Sequence, residues 1–201
     1  MWTPIRDESP IDLSHLTPKA RKIVKTRGDL SRVEAENVLT VISKYLAVKP
    51  RKGQATFDVS WCLKVHEEMF REVWTWAGIP RTEDINIGVP FYNIQSDMKN
   101  LCDDLSSWSG YNMEIAEQAT RLHHRAVQIH PFPNGNGRWA RMLANIWLIC
   151  NDLPLVMWPA TIGKVSEIRD EYILAIKEAD DGNYEPLLAM HERHTDRDDR
   201  E

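Results

Sequence analysis

One unbroken run, His130-Pro131-Phe132-Pro133-Asn134-Gly135-Asn136-Gly137-Arg138-Trp139-Ala140-Arg141, gathers residue types suited to phosphate chemistry. Two glycines and an asparagine open a helix there, so several backbone N–H groups have no partner inside the helix and point outward. The helix dipole adds positive potential at the same end, which makes a cradle for an anion. Arg138 and Arg141 lie three residues apart and share one face of that helix. Two guanidinium forks beside a glycine-lined helix start can grip a polyphosphate. His130 stands at the end of the preceding helix, across the same turn. An imidazole, with an ordinary pKa of about 6.5, can take the proton from a hydroxyl placed beside that phosphate chain.

Plainer roles are open to the same residues. His130 could satisfy a carbonyl at its helix end. Asn134 could cap the helix that follows it. His123 and His124 read as structural or surface residues of the helix before the site, and no His, Cys and carboxylate set has metal-ligand spacing. Cys62, Cys102 and Cys150 are odd in number, widely spaced and set in apolar stretches. They read as buried, inert thiols of a reducing cytoplasm, with neither a disulfide framework nor a zinc pattern.

The chain of 201 residues has a net charge of −5, with 42% hydrophobic and 27% charged residues, an ordinary globular balance. That length is ample for a hydrophobic core. The mild acidity argues against a general nucleic-acid or membrane-surface binder, which needs a dense basic face. No stretch approaches the roughly 20 apolar residues of a membrane helix, and the first ten residues lack the basic-then-apolar order of a secretory signal. The expectation is a soluble, cytoplasmic protein.

The elements that must position the motif read as helices. Residues 1–29 mix proline, charge and a short apolar run and suggest an extended arm. Ser31 and Glu34 read as a capping box for a helix carrying Ala35, Val38, Leu39, Ile42, Tyr45 and Leu46, which Pro50 to Gly53 ends. A second helix is expected from Asp58 to Trp76, closed by Gly78 and Pro80. In residues 81–95, alternation at Ile85 and Ile87 with breaks at Gly88 and Pro90 predicts a short hairpin or flap. Ser96 is expected to cap the next helix. A helix over Asn112–Ile129 ends at His130, because a residue before proline is biased out of the helical region. Further helices are expected from the glycine turn through Asn151, over Ser166–Ala179 and over Tyr184–Glu192, before a polar, frayed tail. No repeat or domain boundary stands out, so the pattern is one mostly helical domain.

The motif resembles, almost letter for letter, the signature of the Fic (filamentation induced by cAMP) family, His-Pro-Phe-x-Asp/Glu-Gly-Asn-Gly-Arg-x-x-Arg. The resemblance extends to HEEMFREVWTWAG (66–78) with Arg81, to the flap-like INIGVPFYNI, and to YILAIKEADDGNYEPLLAM (172–190). The N-terminal TRGDLSRVEAENV resembles a bacterial Fic subgroup called mobile mystery protein B. The resemblance implies an all-α Fic helical bundle with a short β-hairpin flap. It divides the chain into an arm and possible inhibitory helix (1–54), a Fic domain (55–192) and a polar tail (193–201).

The resemblance also implies transfer of AMP from ATP to a hydroxyl of a target protein. His130 would be the general base and Phe132 the anchor of the loop. Gly135, Asn136 and Gly137 would form the anion hole, with Arg138 on the β phosphate and Arg141 on the γ phosphate. The flap, at Ile87, Gly88 and Val89, would align the target backbone by strand addition. Asn134 stands where the family has an acidic ligand for Mg²⁺ (or Mn²⁺), and an amide carbonyl binds such an ion without the charge of a carboxylate. The alternative is therefore a nucleotide-binding module with little turnover. A Doc-like phosphotransferase fits less well, because the Gly-Asn-Gly cradle is intact. Many relatives are inhibited by a helix glutamate that pairs with the second motif arginine. Glu36-Asn37 supplies the matching pair, so a Glu36–Arg141 ion pair is expected, with Glu34 already engaged in its capping box. An antitoxin-like partner and a homodimer remain open; nucleic acid and membrane do not.

Overall fold

The turn that bears the motif joins two fifteen-residue helices, and the rest of the chain packs around that pair. This computed structural model describes residues 13–51, 53–85, 87–108, 110–163 and 166–196. Its α-helices are α1 (Pro18–Ile23), α2 (Arg27–Tyr45), α3 (Val59–Phe70), α4 (Ile94–Trp108), α5 (Ile115–Ile129), α6 (Asn136–Cys150), α7 (Glu167–Asp180) and α8 (Glu185–Arg193). Among the described residues there is no strand, only two isolated bridges, Leu16 with Trp74 and Val156 with Thr195.

Alanines let α5 and α6 approach closely. Ala119 and Ala126 on α5 and Ala140 and Ala144 on α6 are all buried, and the larger Leu122, Ile129, Leu143 and Ile146 fill the space beside them. One core joins that pair to Val65, Met69 and Phe70 of α3, Met98, Leu101 and Leu105 of α4, and Leu30, Val33 and Val41 of α2. A second apolar cluster, including Ile162, Ala175, Ala179, Leu187 and Met190, packs α7 against α8. The all-α helical bundle expected from the sequence is the fold observed.

Several boundaries differ from expectation. α2 starts before Ser31: Thr26 and Asp29 form the reciprocal capping box, with the Asp29 N–H donating to Thr26 Oγ1 at 3.1 Å and the Thr26 N–H to Asp29 Oδ2 at 2.9 Å. Ser31 and Glu34 therefore lie inside the helix, and Glu34 is free for another role. The docked face of α2 carries Val33, Asn37, Val41 and Tyr45, whereas Leu39 is 58% exposed; periodicity fixes a helix but not which of two apolar stripes docks. α3 stops at Phe70, because residues 73–75 leave the helix to bond residues 15–17 (Thr17 N–H to the Val73 carbonyl, 2.8 Å; Thr75 N–H to the His15 carbonyl, 2.9 Å). The expected arm is thus helical from Pro18, and its first 12 residues lie outside the described ones. α4 begins at Ile94, so Ser96 is within it; its hydroxyl donates to the Asn93 carbonyl. The start of the tail is held by the Asp196 N–H on the Leu155 carbonyl at 2.8 Å; residues 197–201 lie outside the described ones.

Candidate active site

α5 ends because His130 takes a left-handed conformation, φ 52° and ψ 58°, as its C-cap, which is uncommon for a residue with a Cβ. α6 begins after a second left-handed residue, Gly135, at φ 82°. A Cβ at Gly135 would lie 2.7 Å from the Phe70 ring, so both conformation and space demand glycine. Between the two turns, Asn136 closes the loop on itself. Its Oδ1 accepts the Phe132 N–H at 2.9 Å, and its Nδ2 donates to the Phe132 carbonyl at 2.8 Å. The Asn136 side chain thus shapes the loop, and only its backbone is available for an anion.

Phe132 is fully buried, edge-on to Trp139 at 5.1 Å and stacked on the His66 ring at 3.5 Å. His66 of α3 ties the loop down. The Gly78 N–H donates to its Nδ1 at 3.0 Å, so the ring proton is on Nε2, which donates to the Asn134 carbonyl at 3.0 Å. Burial holds the pKa of His66 at about 3, so it stays a neutral single tautomer.

His130 is oriented as a base. Its Nδ1–H donates to the Val127 carbonyl at 3.2 Å, which leaves the lone pair on Nε2. Burial, with a smaller contribution from the Arg81 charge, lowers its pKa to about 4 despite the carbonyl contact. The flap closes over this residue: a Cβ on Gly88 (φ 98°) would lie 2.6 Å from the Cβ of His130. Arg81 secures it, donating from Nε to the His130 carbonyl at 2.9 Å, from one terminal nitrogen to Glu83 at 2.9 Å and from the other to Val89. These side-chain bonds take up carbonyls that a hairpin ladder would use. The described part of the flap is accordingly a tethered bend without strands, where a short hairpin was expected.

The first turn of α6 has no side-chain cap, which leaves its N–H groups for a ligand. Arg138 lies over the Phe70 ring, 4.7 Å from the centroid, and its Nη1 meets Glu34 Oε2 at 2.6 Å. The other Glu34 oxygen accepts the Trp74 Nε1–H at 2.7 Å. The expected Glu36–Arg141 pair is not formed. Glu36 is exposed and meets Arg32, one turn back on α2, at 3.0 Å. The buried face of α2 carries Glu34, two residues away on the helix and therefore on another side.

Asn134 offers a metal one neutral oxygen, and that Oδ1 already accepts the Gly135 N–H at 2.6 Å. Among the described residues no group of three His, Cys, Asp or Glu could hold a metal ion. This donor set does not fit a resident Mg²⁺ or Mn²⁺, which seeks charged oxygen ligands.

A cleft of about 1720 Å³ gathers the predicted residues. Ile87, Gly88 and Val89 line one side with His130; Asn134, Gly135, Asn136, Gly137, Arg138 and Arg141 line its floor. Glu34, Tyr172 and Arg169 also reach it. Phe132 lies beneath the floor, and Glu36 faces solvent. His66 and Glu34 lie outside the residues that the motif picks out; the one local signal for His66 is a histidine inside the apolar run of α3.

Residues 56–148 match the model of the Fic/DOC family. The chain is 30% identical over 125 residues to protein adenylyltransferase fic-1 of Caenorhabditis elegans, covering 60% of this chain and 23% of that one. It is 32% identical over 84 residues to protein adenylyltransferase Fic of Drosophila ananassae, covering 42% and 16%. The chain therefore spans less than a quarter of the curated relatives it matches. Among solved structures, it resembles Fic-1 of C. elegans (TM-score 0.68, 24% identity, 85% of this chain and 49% of that one). It also resembles the BepC protein of Bartonella tribocorum with bound AMPPNP (TM-score 0.61, 20% identity, 86% and 89%). Among the described residues, no helix is long and apolar enough to cross a membrane.

Proposed function

We infer from the match of residues 56–148 to the Fic/DOC family model that this chain is a protein adenylyltransferase, moving AMP from ATP to a hydroxyl of a target protein. The observation that carries the reading is His130, locked with its Nε2 lone pair free beside the uncapped start of α6. In the reaction the target oxygen bonds to the α phosphorus, the bond from that phosphorus to the β-phosphate bridge breaks, and pyrophosphate leaves. His130 Nε2 takes the hydroxyl proton, and the flap holds the target backbone in line. The backbone of Gly135, Asn136 and Gly137 bears the phosphates, with Arg138 on the β and Arg141 on the γ phosphate. A divalent ion, Mg²⁺ or Mn²⁺, enters as part of the ATP substrate. The run from Thr26 to Val38 supports the mobile mystery protein B subgroup, and the cytoplasm is the compartment that suits an ATP-dependent protein with three free thiols.

The same site is held off by α2. Glu34 neutralises Arg138 and occupies the edge of the cleft where phosphate would bind. Because α2 is part of this chain, the inhibition needs no antitoxin-like partner. The test is incubation of purified protein with α-labelled ATP. Label on protein that vanishes in His130→Ala supports the transferase, and no label in wild type or in Glu34→Gly contradicts it.

A second reading, a nucleotide-binding module with little turnover, is favoured by the engaged amide of Asn134. Asn134→Asp separates the two. A large gain in labelling means that the natural site lacks a charged ligand, and an unchanged rate means that Asn134 suffices.

A further inference from the structure

Arg141 reaches back along α6: a Cβ at Gly137 would lie 3.5 Å from its Nη1, so the guanidinium stands beside the first turn of the helix. Among the described residues it has no carboxylate partner. Its neighbour is Tyr172 of α7, with the guanidinium carbon 5.8 Å from the ring centroid. Behind Tyr172 lies a chain of buried polar groups. The Tyr172 hydroxyl is 3.0 Å from His123 Nε2, and His123 Nδ1 is 2.9 Å from His191 Nε2 on α8. Trp158 packs edge-on against both imidazoles, at 5.4 and 5.1 Å.

The direction of every proton in this chain follows from its first member. The positive charge of the guanidinium repels the hydroxyl proton of the neighbouring phenol, so Tyr172 keeps its lone pairs toward Arg141 and turns its proton to His123. His123 Nε2 then accepts, which puts its ring proton on Nδ1, and that proton goes to His191 Nε2. His191 in turn carries its proton on Nδ1. Burial keeps both imidazoles neutral: it lowers the pKa of His191 to about 3 and that of His123 well below the ordinary value. Neither can therefore add a second positive charge behind the arginine.

We propose that Tyr172 and His123 are positioning residues for the Arg141 guanidinium at the start of α6: the phenol stands beside the guanidinium and is itself fixed by a one-way hydrogen-bond relay through His123 to His191. The relay draws one member from each of α7, α5 and α8, and serves an arginine of α6. A phenol orients the arginine without cancelling its charge, so the charge stays available for an anion. The inference rests on the reading above for the identity of that anion, the terminal phosphate of ATP.

Two measurements test it. Nitrogen-15 NMR of the wild-type protein at neutral pH should find both His123 and His191 neutral and protonated on Nδ1. A ring protonated on Nε2, or on both nitrogens, overturns the relay. Calorimetric titration with ATP and with ADP should find that Tyr172→Phe weakens ATP about tenfold and leaves ADP within about twofold. Arg141→Ala should weaken ATP at least as much, and the double variant no further. Equal losses for ATP and ADP in Tyr172→Phe, or a further loss in the double variant, would overturn the positioning role. An unchanged ATP-to-ADP ratio in Arg141→Ala would instead overturn the phosphate reading, leaving the nitrogen shifts to decide the relay alone.

Discussion

Arg138 and Arg141 stand one turn apart on the same helix, and the fold treats them in opposite ways. Arg138 meets a carboxylate, Glu34, whose second oxygen is held by Trp74. Arg141 meets a phenol backed by two neutral imidazoles. A carboxylate cancels a guanidinium and competes with an incoming phosphate; a phenol only aims it. The same residue type is therefore charge-paired at one position and keeps its charge uncancelled at the next. The difference lies in what the neighbouring helices bring, a glutamate from α2 against a tyrosine from α7.

The largest effect separating the two should come from deleting the charge-paired arginine. Arg138→Ala is expected to lower labelling by on the order of 10² to 10³, as for loss of one donor to a developing anion, and Glu34→Gly should not restore it. A Glu34→Gly rescue of the Arg138→Ala protein would mean that the glutamate acts elsewhere. Arg141→Ala should cost less, about tenfold, chiefly as a raised KM for ATP.

His130, the proposed base, gives a finer test. With the pKa of free His130 held at about 4, its lone pair is available above that pH. The acid limb of kcat/KM is expected near pH 4, and a limb near 6.5 would mean that the imidazole is solvated. The histidines behind the two arginines also link stability to pH. His66 under the loop and His191 in the relay have folded pKa values of about 3, below the ordinary value near 6.5. Their contribution is complete above pH 6.5 and is lost as pH falls from there to about 3, because the unfolded chain takes up those protons first. The Tm should fall over that window and level off below it.

The smallest effect concerns how firmly Glu34 is held. Trp74→Phe removes the hydrogen bond to Glu34 and should cost about 1 kcal/mol of stability, with a basal labelling rate raised about twofold to threefold. No change in rate would mean that the Arg138 contact alone fixes the glutamate.

The catalytic loop was legible in the sequence because its geometry is local. Positive-φ turns, a proline stop and two arginines at helical spacing lie within a dozen residues. The Glu34–Arg138 contact was not legible. Ser31 and Glu34 fit a capping pattern as well as Thr26 and Asp29 do, and only the docking of α2 decides which glutamate turns inward. The relay joins residues 49 and 68 positions apart on three helices, so no local pattern carries it. His66 was hidden for the same reason: its two partners, Gly78 and Asn134, lie beyond its own helix.

The account turns most directly on one comparison: labelling with α-labelled ATP by the wild type, Glu34→Gly and Glu36→Gly. The account predicts a gain of about tenfold or more in Glu34→Gly, by removal of a charge-assisted contact, with Glu36→Gly indistinguishable from wild type. A gain in Glu36→Gly with none in Glu34→Gly would contradict it.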